Sequence, residues 1–272
     1  VITPALCYGT AWKEERTRDL VTLALAAGFR AIDTANQRRH YHEAGVGEAL
    51  AVALGEGRIG RGDLFLQSKF TDVAGQDHRL PYDPRAPLGE QVTLSFASSL
   101  AHLGTTYLDA YLLHGPSTRA GLSDEDWQIW QAMEGLHRAG LVGSLGVSNV
   151  TAAQLALLLR HATIPPAFVQ NRCYARTGWD RPVREVAAAR GVRYQGFSLL
   201  TANRRELGGA VIAAIAARHQ RSAAQIVFRF AIEVGMLPLT GTSSPQHMRE
   251  DLDVLSFGLA PDEVRAIERV AG

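Results

Sequence analysis

Residues 28–35, GFRAIDTA, carry the chain from a glycine through a short apolar run to an acid. The same shape returns at 64–70, LFLQSKF, which closes on Lys69, and at 107–116, YLDAYLLHGP, where the run ends at His114. Short apolar runs bounded by turn residues and separated by helical periodicity read as buried strands. Working outward, similar runs stand at 145–148, 168–171, 193–197 and 236–239, and one near 5–8 completes eight. Between them the 3.6-residue pattern predicts helices at 16–27, 43–54, 88–103, 127–139, 152–161, 181–190 and 223–234. Gly28, Gly140 and Gly191 follow three of these, where a C′ glycine is preferred, and Thr151 and Ser222 precede two others as N-caps. Eight strands alternating with helices predict an α/β protein with a parallel sheet. Closure into a (β/α)8 TIM barrel is the simplest way to remove the sheet's edges. Residues 1–272 then form a single domain, within the usual size of such barrels.

In a barrel of this kind the strand C-termini and the loops after them form the functional face. Asp33, Lys69 and His114 each close a strand, and Tyr41, in RRHYHEAGVG, lies in the loop after Asp33. Alone, each has a plainer reading, as a turn residue, a solvated strand end or a core histidine. On successive strands they predict one pocket holding an acid, a phenol, an amine and an imidazole. A phenol is a poor acid at neutral pH, with an ordinary pKa of about 10. A neighbouring ammonium lowers that value. A lysine closing so apolar a run needs a partner carboxylate, and Asp33 supplies one. The imidazole would hydrogen-bond a substrate oxygen. Such a set can deliver a proton to a carbonyl while a cofactor delivers hydride. His40 and His42 flank Tyr41 and open a rival reading, a metal held by two imidazoles, but that needs further ligands on later strands. Of the remaining histidines considered, His102 and His161 fall in helices and only His114 stands at a strand end.

Composition narrows the function classes. Lys plus Arg number 28 against 27 acidic residues, so no bulk charge draws nucleic acid or a membrane surface. Two cysteines, Cys7 and Cys173, make no disulfide framework, and a reducing, cytoplasmic setting is the expectation. The apolar stretch AVIAAIAA after Gly209 is far too short to span a bilayer, and no signal peptide opens the chain. The sequence begins at Val1, which leaves room for a short piece before it. A last helix is expected at 261–270, with Pro261, Asp262 and Glu263 suited to its first turn. The sequence reaches Gly272 soon after, so the expectation is a pocket mouth left open on that side.

From YGTAWK at 8–13 to LPLTGTSSPQHMREDL at 237–252 the chain resembles the aldo-keto reductase family. The segments GFRAIDTA, HYHEAGVGEAL (40–50), LFLQSKF, YLDAYLLHGP, GLVGSLGVSN (140–149) and PLTGTSSP (238–245) stand in the family's order. The resemblance implies a barrel that reduces an aldehyde or ketone with NADP(H), NAD(H) being the second choice. Asp33, Tyr41, Lys69 and His114 then have catalytic roles. The family's tyrosine stands about three residues before a glutamate. Here Tyr41 is two before Glu43 and His40 is three before it, in a loop two residues longer, so His40 competes for the role.

For the cofactor, the resemblance implies Ser148 and Asn149 at the nicotinamide carboxamide, and Gln170 beside them, with Asn171 as its alternative. Phe197 stands where a ring stacks on the nicotinamide, and Ser198 and Leu200 where the pyrophosphate passes. The phosphate end falls at Gly241, Thr242, Ser243 and Ser244, a helix start, with His247 and Arg249 as its cations. The family's lysine there is missing, its place falling at Leu239, Thr240 or Gly241. Trp12, His40, Phe70 and Trp179 are the expected substrate-pocket residues. Gly115 stands where relatives carry tryptophan, which reshapes the pocket. No GxGxxG follows a strand, so a Rossmann module is not indicated. The expected partners are a small carbonyl substrate and no nucleic acid or membrane, in a monomer or weak oligomer. The other reading is an NADP(H)-binding sensor barrel that acts through a protein partner.

Overall fold

The computed structural model describes residues 4–271; the readings made of Val1 and Gly272 lie outside these residues. Eight parallel strands close in sequence order: β1 Cys7–Gly9, β2 Ala31–Asp33, β3 Phe65–Phe70, β4 Leu108–Leu113, β5 Val142–Ser148, β6 Phe168–Arg172, β7 Arg193–Phe197 and β8 Leu237–Thr240. Cys7 pairs with Leu239 across the β1–β8 seam, which completes the barrel. The helices are α1 Thr17–Ala27, α2 Glu43–Gly55, α3 Leu88–Leu103, α4 Asp124–Arg138, α5 Ala152–His161, α6 Arg181–Ala188, α7 Arg204–Leu207, α8 Ala210–His219, α9 Ala223–Glu233, α10 Pro245–Asp253 and α11 Pro261–Glu268. Among the described residues, no helix is long and apolar enough to cross a membrane.

Each strand and each principal helix of the sequence reading is present, with ends shifted by up to three residues. α7 and α8 were not foreseen, and α10 only as a helix start at 242–244. α8 contains the apolar stretch after Gly209, whose hydrophobicity runs too continuously to show a face. The foreseen caps hold. Thr151 and Ser222 each accept a hydrogen bond from the backbone three residues on, with Gln154 and Gln225 closing the box. Gly28, Gly140 and Gly191 all have positive φ.

Strand alternation separates two environments. Outward side chains such as Ile32, Leu66, Phe70, Tyr111, Val147, Val169 and Tyr194 join the large core between barrel and helices. Inward, Cys7, Ala31, Phe65, Ala110, Leu112, Leu237 and Leu239 form a smaller apolar plug. Above that plug the inward residues become polar: Asp33, Gln67, Lys69, Gln170 and Gln195. Helix α2 packs tightly on α3, so that a Cβ at Gly47 would run into the His102 carbonyl oxygen. That close approach fixes the helix whose leading loop carries Tyr41.

Candidate active site

The centre of the polar layer is a salt bridge sealed from water. Lys69 and Asp33 are 0% and 2% exposed, so neither charge has solvent to lean on. The Lys69 ammonium donates to both Asp33 oxygens, at 2.6 and 2.7 Å, and to the Thr34 carbonyl at 2.9 Å. Its three protons are therefore all placed. Burial alone would drive the lysine's pKa down, but Asp33 outweighs it and holds the value above the ordinary one. Asp33 Oδ1 also accepts from Gln67 Nε2 at 2.6 Å and Gln170 Nε2 at 3.0 Å. Gln195 ties the two glutamines together, its Oε1 accepting from both at 2.9 and 2.8 Å. Sequence reading missed Gln67 and Gln195. The signal was available, because Gln67 is two residues from Lys69 and Gln195 two from Phe197, on the same inward faces.

Tyr41 reaches this pair from the β2–α2 loop. Lys69 Nζ lies 5.2 Å from the centre of its ring, and the His114 ring meets it edge-on at 5.9 Å. His40 instead stacks on Trp12, with ring centres 4.0 Å apart, and His42 faces Glu15 at 3.6 Å. The geometry thus places Tyr41, not His40, beside the ammonium, and the two imidazoles of the rival metal reading do not converge. Two residues on, Glu43 accepts from Ser68 Oγ and contacts His102 Nδ1 at 3.2 Å, which pins the start of α2 to β3. One expectation needs correcting. The Tyr41 phenol titrates above its ordinary value, because burial raises it more than Lys69 lowers it.

His114 Nδ1 lies 2.6 Å from the Thr71 hydroxyl, and Asn149 Nδ2 donates to its carbonyl at 2.7 Å. Burial, then the Lys69 charge, push the imidazole down to about 3, so it is neutral at physiological pH. A hydroxyl that donates to Nδ1 leaves Nε2 as the N–H donor.

These groups open into a cavity of about 620 Å³. Trp12, Tyr41, His40 and His114 line one part of it. Ser148, Asn149, Gln170, Phe197, Ser198 and Leu200 continue the wall, and Gly241, Thr242 and His247 lie toward α10. Ser148 Oγ donates to the Gln170 carbonyl at 2.7 Å, and Asn149 Nδ2 donates to Ser148 Oγ at 3.1 Å. Asn149 and Ser198 both hold left-handed backbone, with φ near 56° and 57°. Asn171, the alternative to Gln170, is excluded from the cavity: its amide bridges Val150 and Asp180 on the outer side of β6.

Four of the expected site residues do not line the cavity. Phe70 points outward, as the neighbour of inward Lys69 must, and stacks on Tyr82. Trp179 is fully buried, its Nε1 donating to the Ile267 carbonyl at 2.9 Å, and it packs on Phe230. Arg249 is exposed and two residues beyond His247, which turns it some 200° away from the cavity face of α10. That face presents Glu250 and Asp251 instead. Ser243 is turned to solvent between Thr242, which lines the cavity, and Ser244, which caps α10 by accepting from His247 N. Sequence reading did not single out Lys13, the cation beside this turn. From the loop after β1 it donates to the Gly241 carbonyl at 2.6 Å, and burial pushes its pKa down to about 8. No local pattern marks it, since 228 residues separate the two.

A family model described as the Aldo/keto reductase family matches residues 5–271. Deoxymugineic acid synthase 1-A of Triticum aestivum is 32% identical over 291 residues, covering 98% of this chain and 87% of that protein. Among solved structures, an aldo/keto reductase from Brucella melitensis is 29% identical with a TM-score of 0.83, covering 98% of this chain and 93% of that one. A Bombyx mori aldo-keto reductase in complex with NADP is 26% identical with the same TM-score, covering 98% and 89%.

The sealed salt bridge makes a stability prediction. Breaking one partner of a buried pair costs about 3–5 kcal/mol, because the other charge is stranded. Lys69→Met and Asp33→Asn should each lose about that much in urea unfolding. The double variant should lose clearly less than their sum. Additive losses would show that the two groups do not hold each other.

Proposed function

The chain belongs to the aldo/keto reductase family, and from that premise we propose that Tyr41 is the proton donor in its NADP(H)-dependent reduction of a small aldehyde or ketone. The observation that carries this reading is the Tyr41 ring between the Lys69 ammonium and His114, at the wall of the cavity.

The residues present fit a nicotinamide dinucleotide. The cavity has room for an extended ligand, with a half-buried Phe197 face for an aromatic ring. Ser148, Asn149 and Gln170 supply carboxamide partners. Thr242 and the first amides of α10 would hold phosphate, with Lys13 behind Gly241 as the cation. Reduced nicotinamide bound there supplies the hydride that the carbonyl carbon takes up.

The protein's own task is the oxygen. The His114 Nε2–H donates to the substrate carbonyl and orients it, and being neutral it is too weak an acid to give up that proton in place of Tyr41. The Tyr41 Oη–H gives its proton to the oxygen as negative charge develops there, and the phenolate left behind faces the Lys69 ammonium. Lys69 is already held by Asp33 and the Thr34 carbonyl, so it faces that charge in place and stabilises it. Asp33 and its glutamines keep the ammonium in place. Asp33, Gln67 and Gln195 thereby act through Lys69.

Two outcomes test this. Tyr41→Phe should leave the NADPH dissociation constant near wild type and lower kcat by roughly 10² or more, since only the proton donor is lost. The donor must be protonated, and its pKa lies above the ordinary phenol value, so wild-type reduction should be level from pH 6 to 8 and decline only in alkali. A titration of activity near pH 6.5 that disappears in His114→Gln would contradict the neutral imidazole.

At the phosphate end the cation is assigned to Lys13. Lys13→Met should weaken NADPH roughly tenfold more than NADH, while Arg249→Ala should shift neither by more than about twofold. Because Lys13 loses its charge as pH rises through about 8, the preference for NADPH should shrink above that pH. Equal wild-type dissociation constants for the two cofactors would remove the assignment.

A further inference from the structure

Arg172 has no part in the chemistry above, yet it lines the same cavity. It ends β6 and shares the inward face of that strand with Gln170, two residues before it. The side chain is exposed, its guanidinium carbon 5.7 Å from the centre of the Phe197 ring. Its polar contact among the described residues is a 3.5 Å hydrogen bond to the Tyr174 hydroxyl. Two carboxylates of the same side of the barrel are engaged elsewhere. Asp180 accepts from Asn171 and Tyr194, and Glu268 pairs with Arg181 and Arg184.

The remaining charged groups of the cavity make this position unusual. Asp33 is neutralised by Lys69, His114 is held neutral, and Glu250 and Asp251 lie on α10. Among the described residues that line the cavity, Arg172 is the one guanidinium or ammonium group. A cation beside an aromatic ring, at the rim of a concave and largely apolar wall, concentrates anions and can meet an oxyanion with two parallel donors.

We propose that Arg172 is an oxyanion contact of this cavity, which takes the carboxylate of an acidic carbonyl substrate or a phosphate oxygen of the bound dinucleotide. The proposal rests on the reductase reading and adds to it the charge class of the ligand at the β6 rim.

The test compares wild type with Arg172→Met, which keeps an unbranched apolar stem and loses the charge, and Arg172→Lys, which keeps charge and loses the fork. Two quantities are measured. One is the NADPH dissociation constant from quenching of tryptophan fluorescence, at low and high salt. The other is the ratio of kcat/KM for succinic semialdehyde to that for butanal, an acidic and a neutral aldehyde of equal chain length. If the substrate is the source, Arg172→Met should lower the ratio by roughly tenfold or more, with Arg172→Lys between. If the dinucleotide is the source, its dissociation constant should rise by roughly tenfold or more and lose part of its salt dependence. Either result supports the contact. Both quantities staying within about twofold of wild type would overturn it. A wild type that binds NADPH but reduces neither aldehyde counts against the reductase reading alone, and the dissociation constant then decides the role of Arg172.

Discussion

A lysine and an aspartate with no access to water organise this protein. Removing both charges from solvent is costly, and attraction repays that cost only where the remaining hydrogen-bonding capacity is also met. Here it is met: Lys69 places all three protons, and Asp33 collects four hydrogen bonds from Lys69, Gln67 and Gln170. The barrel makes such a set attainable, because β2, β3, β6 and β7 converge on its axis from different parts of the sequence. A small apolar plug beneath them closes the floor. The consequence is a fixed positive charge at the inner end of an open cavity. Tyr41 and His114 feel that charge on top of their own burial.

The loop that brings Tyr41 to that charge leads into a helix that is held twice. Glu43 anchors the start of α2 to Ser68, the neighbour of Lys69, and Gly47 lets α2 lie against the end of α3. The phenol's reach is therefore set by the same strand that sets the ammonium. Beside the cavity wall, Lys13 donates to the Gly241 carbonyl from a loop at the other end of the sequence.

Much of this was legible in the sequence, for a physical reason. Buried parallel strands write themselves as apolar runs, and a charge at the end of such a run is conspicuous. Asp33, Lys69 and His114 were found that way. Tyr41 was found through its loop, where spacing left His40 in contention until the ring contacts separated them. Phe70 and Trp179 were misplaced because aromatic character does not tell which side of a strand or loop a ring faces. For Phe70 the alternation from Lys69 already held the answer. Arg249 was misplaced by counting along the sequence without turning the helix. Lys13 and Arg172 were passed over because contacts between distant loops, and the rim of a cavity, leave no local pattern. The raised Tyr41 phenol could not be read either, since burial and a neighbouring charge pull it in opposite directions and only geometry decides between them.

The central claim is that the Lys69 ammonium acts on the Tyr41 phenol. It is tested most directly by titrating that phenol in protein carrying ¹³Cζ-labelled tyrosine, with the resonance assigned by its absence in Tyr41→Phe. The account predicts a neutral phenol throughout the physiological range, with a midpoint above that of free tyrosine, and a still higher midpoint in folded Lys69→Met, where the opposing charge is gone. A midpoint unchanged between wild type and Lys69→Met, or one below the ordinary phenol value in wild type, would contradict it.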